Sequence, residues 1–376
     1  MDFTKEALEQ IARKASDASS FKALVGLDGF VDIIVRAVDK RHGKGDQFTP
    51  IRTIPDFGGR ISAAAGKSTN IEMYPTQTKI GGNGPIMANA ILSMGIQTRY
   101  IGALGKPTIN PVFNDFAAAT QAISVANPGV THAAEFTDGK ILFGELSSLD
   151  DITFQSVLSQ IGEGAFFDLV SRADLVSMVN WTMIPGMTNF LEGLIDRVLP
   201  NLGPVDSRHY FFDLADPEKR ADSEIRAVLH TISKFQNFGS VTLGLNHKEA
   251  EHIGSILGHN EPSDHPDGLR RLASAIRREM QISCTVVHPT DAAACATRED
   301  SWYVEGYYTP EPLISTGAGD HFNSGFAAGR LFGFHPGVCL RLATAVSGYY
   351  VRNAASPNLS QVSELIRNLT PSRKKA

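Results

Sequence analysis

The spacing of apolar positions changes period several times along the chain, and those changes outline a fold. Glu6 to Ser20 carries Ala, Leu, Ile and Lys at helical spacing and predicts an amphipathic surface helix. From Phe21 the pattern becomes an apolar run to Val25, which passes through Gly26-Leu27-Asp28-Gly29-Phe30-Val31-Asp32 into Ile33-Ile34-Val35. This reads as a buried strand broken by two acidic residues. Burying a carboxylate without partners is costly, so at least one of the two is expected to have a role beyond packing. Between Arg36 and Thr78 the breakers Gly43, Gly45, Pro55, Gly58, Gly59 and Gly66 are too frequent for core helices. The spacing there predicts a separate cover, a lid, over residues 33–79. Ile80-Gly81-Gly82-Asn83-Gly84-Pro85 then opens a helix-like run from Ile86 to Met94, ended by Gly95, and Thr98 to Ile101 resumes as a strand.

Further on, Ala133–Thr137 and Lys140–Gly144 flank Asp138-Gly139. That dipeptide is favoured in two-residue hairpin turns because both positions need positive φ, so a hairpin is predicted, near the lid, within residues 131–146. The second half alternates short apolar strands (Leu175–Val179, Tyr210–Asp213, Val241–Leu245, Thr285–His288) with helices. Such alternation implies an α/β fold whose parallel sheet carries helices on both faces.

Composition narrows the partners. Of 376 residues, 42% are hydrophobic and 20% charged, which excludes wholesale disorder, collagen and coiled coil. A net charge of -5, with no long basic block before the last few residues, argues against nucleic acid. The three cysteines Cys284, Cys295 and Cys339 are an odd number without metal-ligand spacing, so neither a disulfide framework nor a zinc site is expected, and a reduced, cytoplasmic setting is. Met1 to Glu6 lacks the basic start and apolar run of a signal peptide, and no stretch approaches the roughly 20 apolar residues of a membrane span.

The most informative segment is Ser315-Thr316-Gly317-Ala318-Gly319-Asp320-His321-Phe322-Asn323-Ser324-Gly325-Phe326. Small residues give way at once to an Ala-rich helix. Gly317 to Gly319 should therefore form a loop at its N-terminus, with backbone N–H groups and the positive end of the helix dipole making an anion site fit for a transferring phosphoryl group. Asp320, in the first turn, could take a proton from an attacking hydroxyl. Taken alone, a Gly-x-Gly-Asp favours a plainer reading, in which the aspartate caps the helix and the glycines turn the chain.

The wider context changes that balance. Gly-Ala-Gly-Asp-x-Phe-Asn-x-Gly-Phe resembles the C-terminal signature of the ribokinase-like, or PfkB, carbohydrate kinases. Gly81-Gly82-Asn83-Gly84 resembles that family's N-terminal glycine signature, and Asn246-His247-Lys248-Glu249 its Asn-x-x-Glu motif. The resemblance covers nearly the whole chain from Phe21 onward. It implies a three-layer α/β/α core made by residues 1–32 and 80–376, with a small β-rich lid. It also implies ATP-dependent phosphorylation of a hydroxymethyl group on a sugar or sugar-like molecule, with Asp320 as base and the backbone of Gly317, Ala318 and Gly319 as anion hole. Asn246 and Glu249 would organise Mg2+ and its waters, with Thr316 beside them on the nucleotide side; a helix cap with its capping-box partner is the alternative reading of the pair. The family's sugar-binding acid would be Asp32 in preference to Asp28, and Gly82, Asn83 and Asn180 would share its pocket. Trp181 would pack either on a sugar face or in the core.

Three departures qualify the likeness. Ile86 stands where the family commonly has Asn, Asn180 where ribokinases have Glu, and Ile314 where an Asp helps hold a monovalent cation. The acceptor is thus not expected to bind as ribose does, and potassium activation is expected to be weak. A nucleoside, vitamin-precursor or phosphosugar acceptor fits the same fold. A phosphosugar would require a cationic cluster, for which Arg60, Lys67 and Arg99 are the candidates. A non-catalytic sugar- or nucleotide-binding protein is the rival from another class. A dinucleotide oxidoreductase is disfavoured, since no Gly-x-Gly-x-x-Gly follows the first strand. The resemblance also allows a homodimer joined through the lid.

Overall fold

Strand Leu175–Val179 is buried at every position, as befits a strand inside a sheet covered on both faces. In the computed structural model, which describes residues 2–260 and 262–374, it lies near the middle of a nine-stranded sheet. Its strands are β1 (Lys22–Leu27), β5 (Gln97–Ala103), β6 (Ile123–Ala126), β9 (Leu175–Val179), β10 (His209–Asp213), β11 (Ser240–Asn246), β12 (Cys284–His288), β13 (Ala292–Ala296) and β14 (Ser301–Glu305). The order is β14-β13-β12-β11-β10-β9-β1-β5-β6. All neighbours run parallel except β13 and β14, which close one edge as antiparallel strands. Two large apolar cores, one built on Leu24, Val176 and Leu243 and the other on Val25, Val286 and Phe326, pack helices against opposite faces of the sheet. The architecture is the three-layer α/β/α expected.

The remaining strands make the lid: β2 (Phe30–Arg41), β3 (Phe48–Pro50), β4 (Met73–Gly81), β7 (Gly129–Phe136) and β8 (Gly139–Glu145). β2 runs through its centre, with β4 antiparallel and β7 parallel on its two sides. The hairpin β7–β8 is thus hydrogen-bonded into the lid rather than merely packed near it. One lid face looks into the core domain through Lys140 and Leu142. The other is covered by a helix, Ile54–Ser62, whose Phe57 packs on Ala37, Phe136, Ile141 and Phe143. Pro55, Gly58 and Gly59, read as breakers, sit inside this helix. Pro55 occupies its first turn, where no helical N–H is lost.

Two local expectations need correction. The N-terminal helix stops at Lys14, and a short 3₁₀ turn, Ala18–Ser20, carries the chain into β1. The hairpin turn consists of Thr137 and Asp138, because Phe136 pairs with Gly139. Gly139 has φ +153°, whereas Asp138 does not take a left-handed conformation. Tertiary contacts set this turn: Asp138 Oδ1 accepts the Ile54 N–H at 3.0 Å and Thr137 Oγ1 donates to the Arg52 carbonyl at 2.9 Å.

Candidate active site

The site lies where β1, β9, β10, β11 and β12 end, under the lid. A cavity of about 570 Å³ runs from Asn83 and Leu142, past Asp320 and the Gly317–Gly319 loop, to Tyr308 and Val351.

At the acceptor end, β4 passes through Gly81 and Gly82 into the helix Asn83–Ser93. Gly82, at φ +97°, makes the turn that starts the helix. These glycines also make room for two carboxylates. A Cβ on Gly81 would fall 2.3 Å from Asp32 Oδ1, and one on Gly84 would fall 2.6 Å from Asp28 Oδ1. The two acids, equivalent as candidates in sequence, have different environments. Asp28 is 0% exposed. Its carboxylate accepts the N–H groups of Asn83 (2.9 Å) and Gly84 (2.8 Å) and the Asn180 side-chain amide (2.7 Å). Burial pushes its pKa up to about 6, and those hydrogen bonds restrain the rise. Asp28 is thus a buried support that fixes Asn83 and Asn180. Asp32 is half-buried on β2, with the Lys79 and Lys140 ammonium groups and the Thr131 hydroxyl offsetting the rise that burial imposes on its pKa.

Asn180 takes a left-handed conformation, φ +61°, and is 1% exposed. Its Nδ2 donates to Asp28, while Oδ1 has no hydrogen-bond partner among the described residues. Trp181 is a core residue, its Nε1 donating to Thr188 Oγ1 at 2.8 Å and the Arg220 guanidinium lying 4.6 Å above its ring.

Asp320, 8% exposed, stands in the first turn of the helix Ala318–Leu331. Its Oδ1 accepts the Asn83 side-chain amide at 2.9 Å. Burial pushes its pKa up to about 7, with the Asp28 and Glu249 charges adding to the rise and the Asn83 hydrogen bond opposing it. Gly317, at φ +90°, is the residue before that helix. A Cβ there would press on the Tyr350 hydroxyl at 3.1 Å and on Ile86 at 3.3 Å, so Ile86 backs the loop. Of the three expected anion-hole residues, Ala318 has its N–H turned to the Ser315 carbonyl at 3.2 Å. Among the described residues the amides of Gly317 and Gly319 have no such backbone partner.

Asn246 and Glu249 form a capping box at the helix His247–Ile256: Asn246 Oδ1 accepts the Glu249 N–H at 2.9 Å, and Glu249 Oε2 accepts the Asn246 N–H at 2.9 Å. Glu249 Oε1 accepts a further N–H, from Asp216, at 2.9 Å. Both residues line the cavity all the same. Between them and Asp320 stands a carboxylate that the sequence reading missed, Asp213, at the end of β10. Asn323 donates to its Oδ2 at 2.6 Å. Among the described residues its Oδ1 has no hydrogen bond of good geometry, although the nearby Ala215 amide softens its charge. Burial and the adjoining Glu249 and Asp320 charges push the Asp213 pKa well above the usual carboxylate range. Lys140 was missed as well. Its ammonium reaches from β8 across the cavity mouth to donate to Thr316 Oγ1, a contact between residues 176 positions apart that only the lid's tertiary placement creates.

Residues 2–369 match the family model for prokaryotic ketohexokinase. The chain belongs to the prokaryotic ketohexokinase family. It is accordingly a sugar kinase, a phosphotransferase that carries a phosphoryl group from ATP to a sugar hydroxyl. A ketohexokinase from Haloferax volcanii is 25% identical over 343 residues, spanning 91% of this chain and 89% of that protein. Among solved structures, Arabidopsis thaliana ribokinase complexed with ribose and ATP superposes with a TM-score of 0.63 at 15% identity, covering 93% of this chain and 99% of the other. Xylella fastidiosa fructokinase with bound ATP gives 0.63 at 15% identity, covering 92% and 98%. Likeness at that identity establishes the ribokinase fold. Among the described residues no helix is long and apolar enough to cross a membrane.

Proposed function

We propose that this kinase phosphorylates a hydroxymethyl group of a ketohexose, with Asp320 as general base. The observation that supports this most directly is the Asn83–Asp320 hydrogen bond. It joins the acceptor pocket under the lid to the first turn of the glycine-loop helix, so that a hydroxyl bound beside Asn83 meets the carboxylate and the loop amides together. Asp32 and the orphaned Asn180 Oδ1 are acceptors for sugar hydroxyls, and the Asn83 amide orients the base. As the hydroxyl attacks, its proton passes to Asp320, and the charge spreading over the phosphoryl oxygens faces the Gly317 and Gly319 amides and the dipole behind them. Lys140 adds a cation from the lid side, where closure over the cavity keeps water from competing as acceptor.

The donors on the nucleotide side suit Mg2+. Asp213 offers an orphaned buried carboxylate oxygen, and Asn246 and Glu249 offer further oxygens, the ligand type a hard cation takes. Mg2+ commonly keeps several of its waters, so these oxygens would hold it partly through them. When bound, such an ion would neutralise phosphate charge.

The test is a panel of ketohexoses, aldoses, ribose and nucleosides assayed for ADP release, with the product located by phosphorus–carbon coupling in NMR. A ketohexose phosphorylated on its hydroxymethyl oxygen is expected to have the highest kcat/KM; preference for a nucleoside or for a ring hydroxyl would overturn the assignment.

A further inference from the structure

The glycine loop is held from behind by a group of side chains that takes no part in the chemistry above. His321, directly after Asp320, is almost fully buried, and its ring stacks on Tyr350 with centroids 3.6 Å apart and planes 13° from parallel. His321 Nδ1 lies 2.7 Å from the Gly317 carbonyl, and the Tyr350 hydroxyl donates to the Thr316 carbonyl at 2.9 Å. A carbonyl oxygen can only accept, so Nδ1 carries the proton. His321 Nε2 then accepts from the Ser356 hydroxyl at 2.9 Å, and Ser356 Oγ in turn accepts from Asn89 Nδ2 at 3.0 Å. Every donor finds an acceptor when the imidazole is neutral, and burial depresses its pKa to about 4, which keeps it so. Asn89 belongs to the same helix, Asn83–Ser93, whose first residue holds Asp320. The chain of bonds therefore connects the back of the glycine loop to the element that orients the base.

We propose that His321 and Tyr350 are positioning residues for phosphoryl transfer, holding the Thr316 and Gly317 carbonyls turned away from the cavity so that the Gly317 amide stays aimed into it and neither carbonyl faces the phosphate. The physical point is that a peptide has two ends. With the Thr316 carbonyl bonded to Tyr350 and the Gly317 carbonyl to the His321 ring beside the helical His321 N–H at 3.1 Å, the peptide units at 316–317 and 317–318 are held from turning their carbonyl oxygens toward the phosphate, where they would repel it. A fixed donor array also costs no reorganisation when charge develops. This inference rests on the reading of the glycine loop as the anion site.

Two substitutions that keep ring and volume separate this role from packing: Tyr350→Phe, which deletes only the hydroxyl, and His321→Phe, which keeps the stack and deletes both nitrogens. Activity is normalised to competent sites counted by ADP titration in a calorimeter. Each is expected to lower kcat about tenfold, the scale of one lost neutral hydrogen bond, with KM for sugar and for ATP within about twofold of wild type. His321→Asn, whose amide nitrogen can stand where Nδ1–H does, is expected to recover most of the loss. Unchanged kcat per site in both Phe variants, or a loss in His321→Asn equal to that in His321→Phe, would overturn the proposal. An Asp320→Asn control that kept its turnover would indict the reading of the site instead.

Discussion

Replacing Asp320 by Asn should damage catalysis and improve stability, and the structure sets the size of the second effect. The carboxyl is almost fully buried, with its pKa pushed from the usual 3.8 to about 7. A native-state pKa above the unfolded value means that the folded protein prefers the protonated form. The associated stability is complete below about pH 3.8 and drains away as pH rises through about 7. Above that point, ionising this group in the fold costs about 4 kcal/mol at most. Asparagine copies the neutral acid and still offers an oxygen to the Asn83 amide, so it escapes the cost. Urea unfolding at pH 8 should therefore show Asp320→Asn more stable than wild type by about 2–4 kcal/mol, and at pH 4.5 the difference should shrink to about 1 kcal/mol or less. Turnover should meanwhile fall about 10²- to 10⁴-fold, the contribution of a general base. For the same reason wild-type kcat/KM should climb with pH and level off above about 7. A stability difference that did not change between pH 4.5 and 8 would refute the buried-charge argument, and turnover within a few-fold of wild type the base assignment.

Three more outcomes are expected. Lys140→Met, an exposed position, should leave the melting temperature nearly unchanged while lowering kcat at least about tenfold, since its partner lies on the glycine loop; unaltered steady-state kinetics would make the lid contact incidental. Glu249→Gln, which cannot accept both the Asn246 and Asp216 amides as a carboxylate does, should lose about 1 kcal/mol and also need more magnesium for half-maximal rate. An unchanged magnesium titration would leave that residue only its cap. Substituting tetramethylammonium for potassium at constant ionic strength should change the rate little, because Ile314 supplies no oxygen ligand and the Thr316 and Gly317 carbonyls are already bonded; a several-fold potassium stimulation would contradict this.

What could be read from sequence was what is local. The glycine loop, Asp320 and the passage from β4 through Gly82 into a helix are each contained in a dozen residues, where turn chemistry and periodicity suffice. Asp28 and Asp32 could not be separated that way. Their difference lies in which amides reach them, and Asn180 comes from 152 positions away. Asp213 and Lys140 carry no motif and acquire meaning only from Asn323, 110 residues distant, and from Thr316, 176 residues distant. β13 escaped notice because Ala292–Ala296 has little strand propensity of its own, and its pairing with β12 on one side and the Trp302 and Tyr303 strand on the other overrides that preference.

The composition of the lid sheet bears on how the protein can be built and rebuilt. Its strands come from two stretches of chain, 30–81 and 129–145, knit by the parallel pairing of Phe30 with Gly129 through Val35 with Ala134. The lid is therefore no cassette. Excising 33–79 would strand the β7–β8 hairpin with Ala133 and Ala134 uncovered, and a two-stranded hairpin is marginal in water. During synthesis, too, β2 must wait about 100 residues for β7 before its pairing is complete, so the lid should be among the later parts to consolidate. A graft between relatives would have to carry both stretches together.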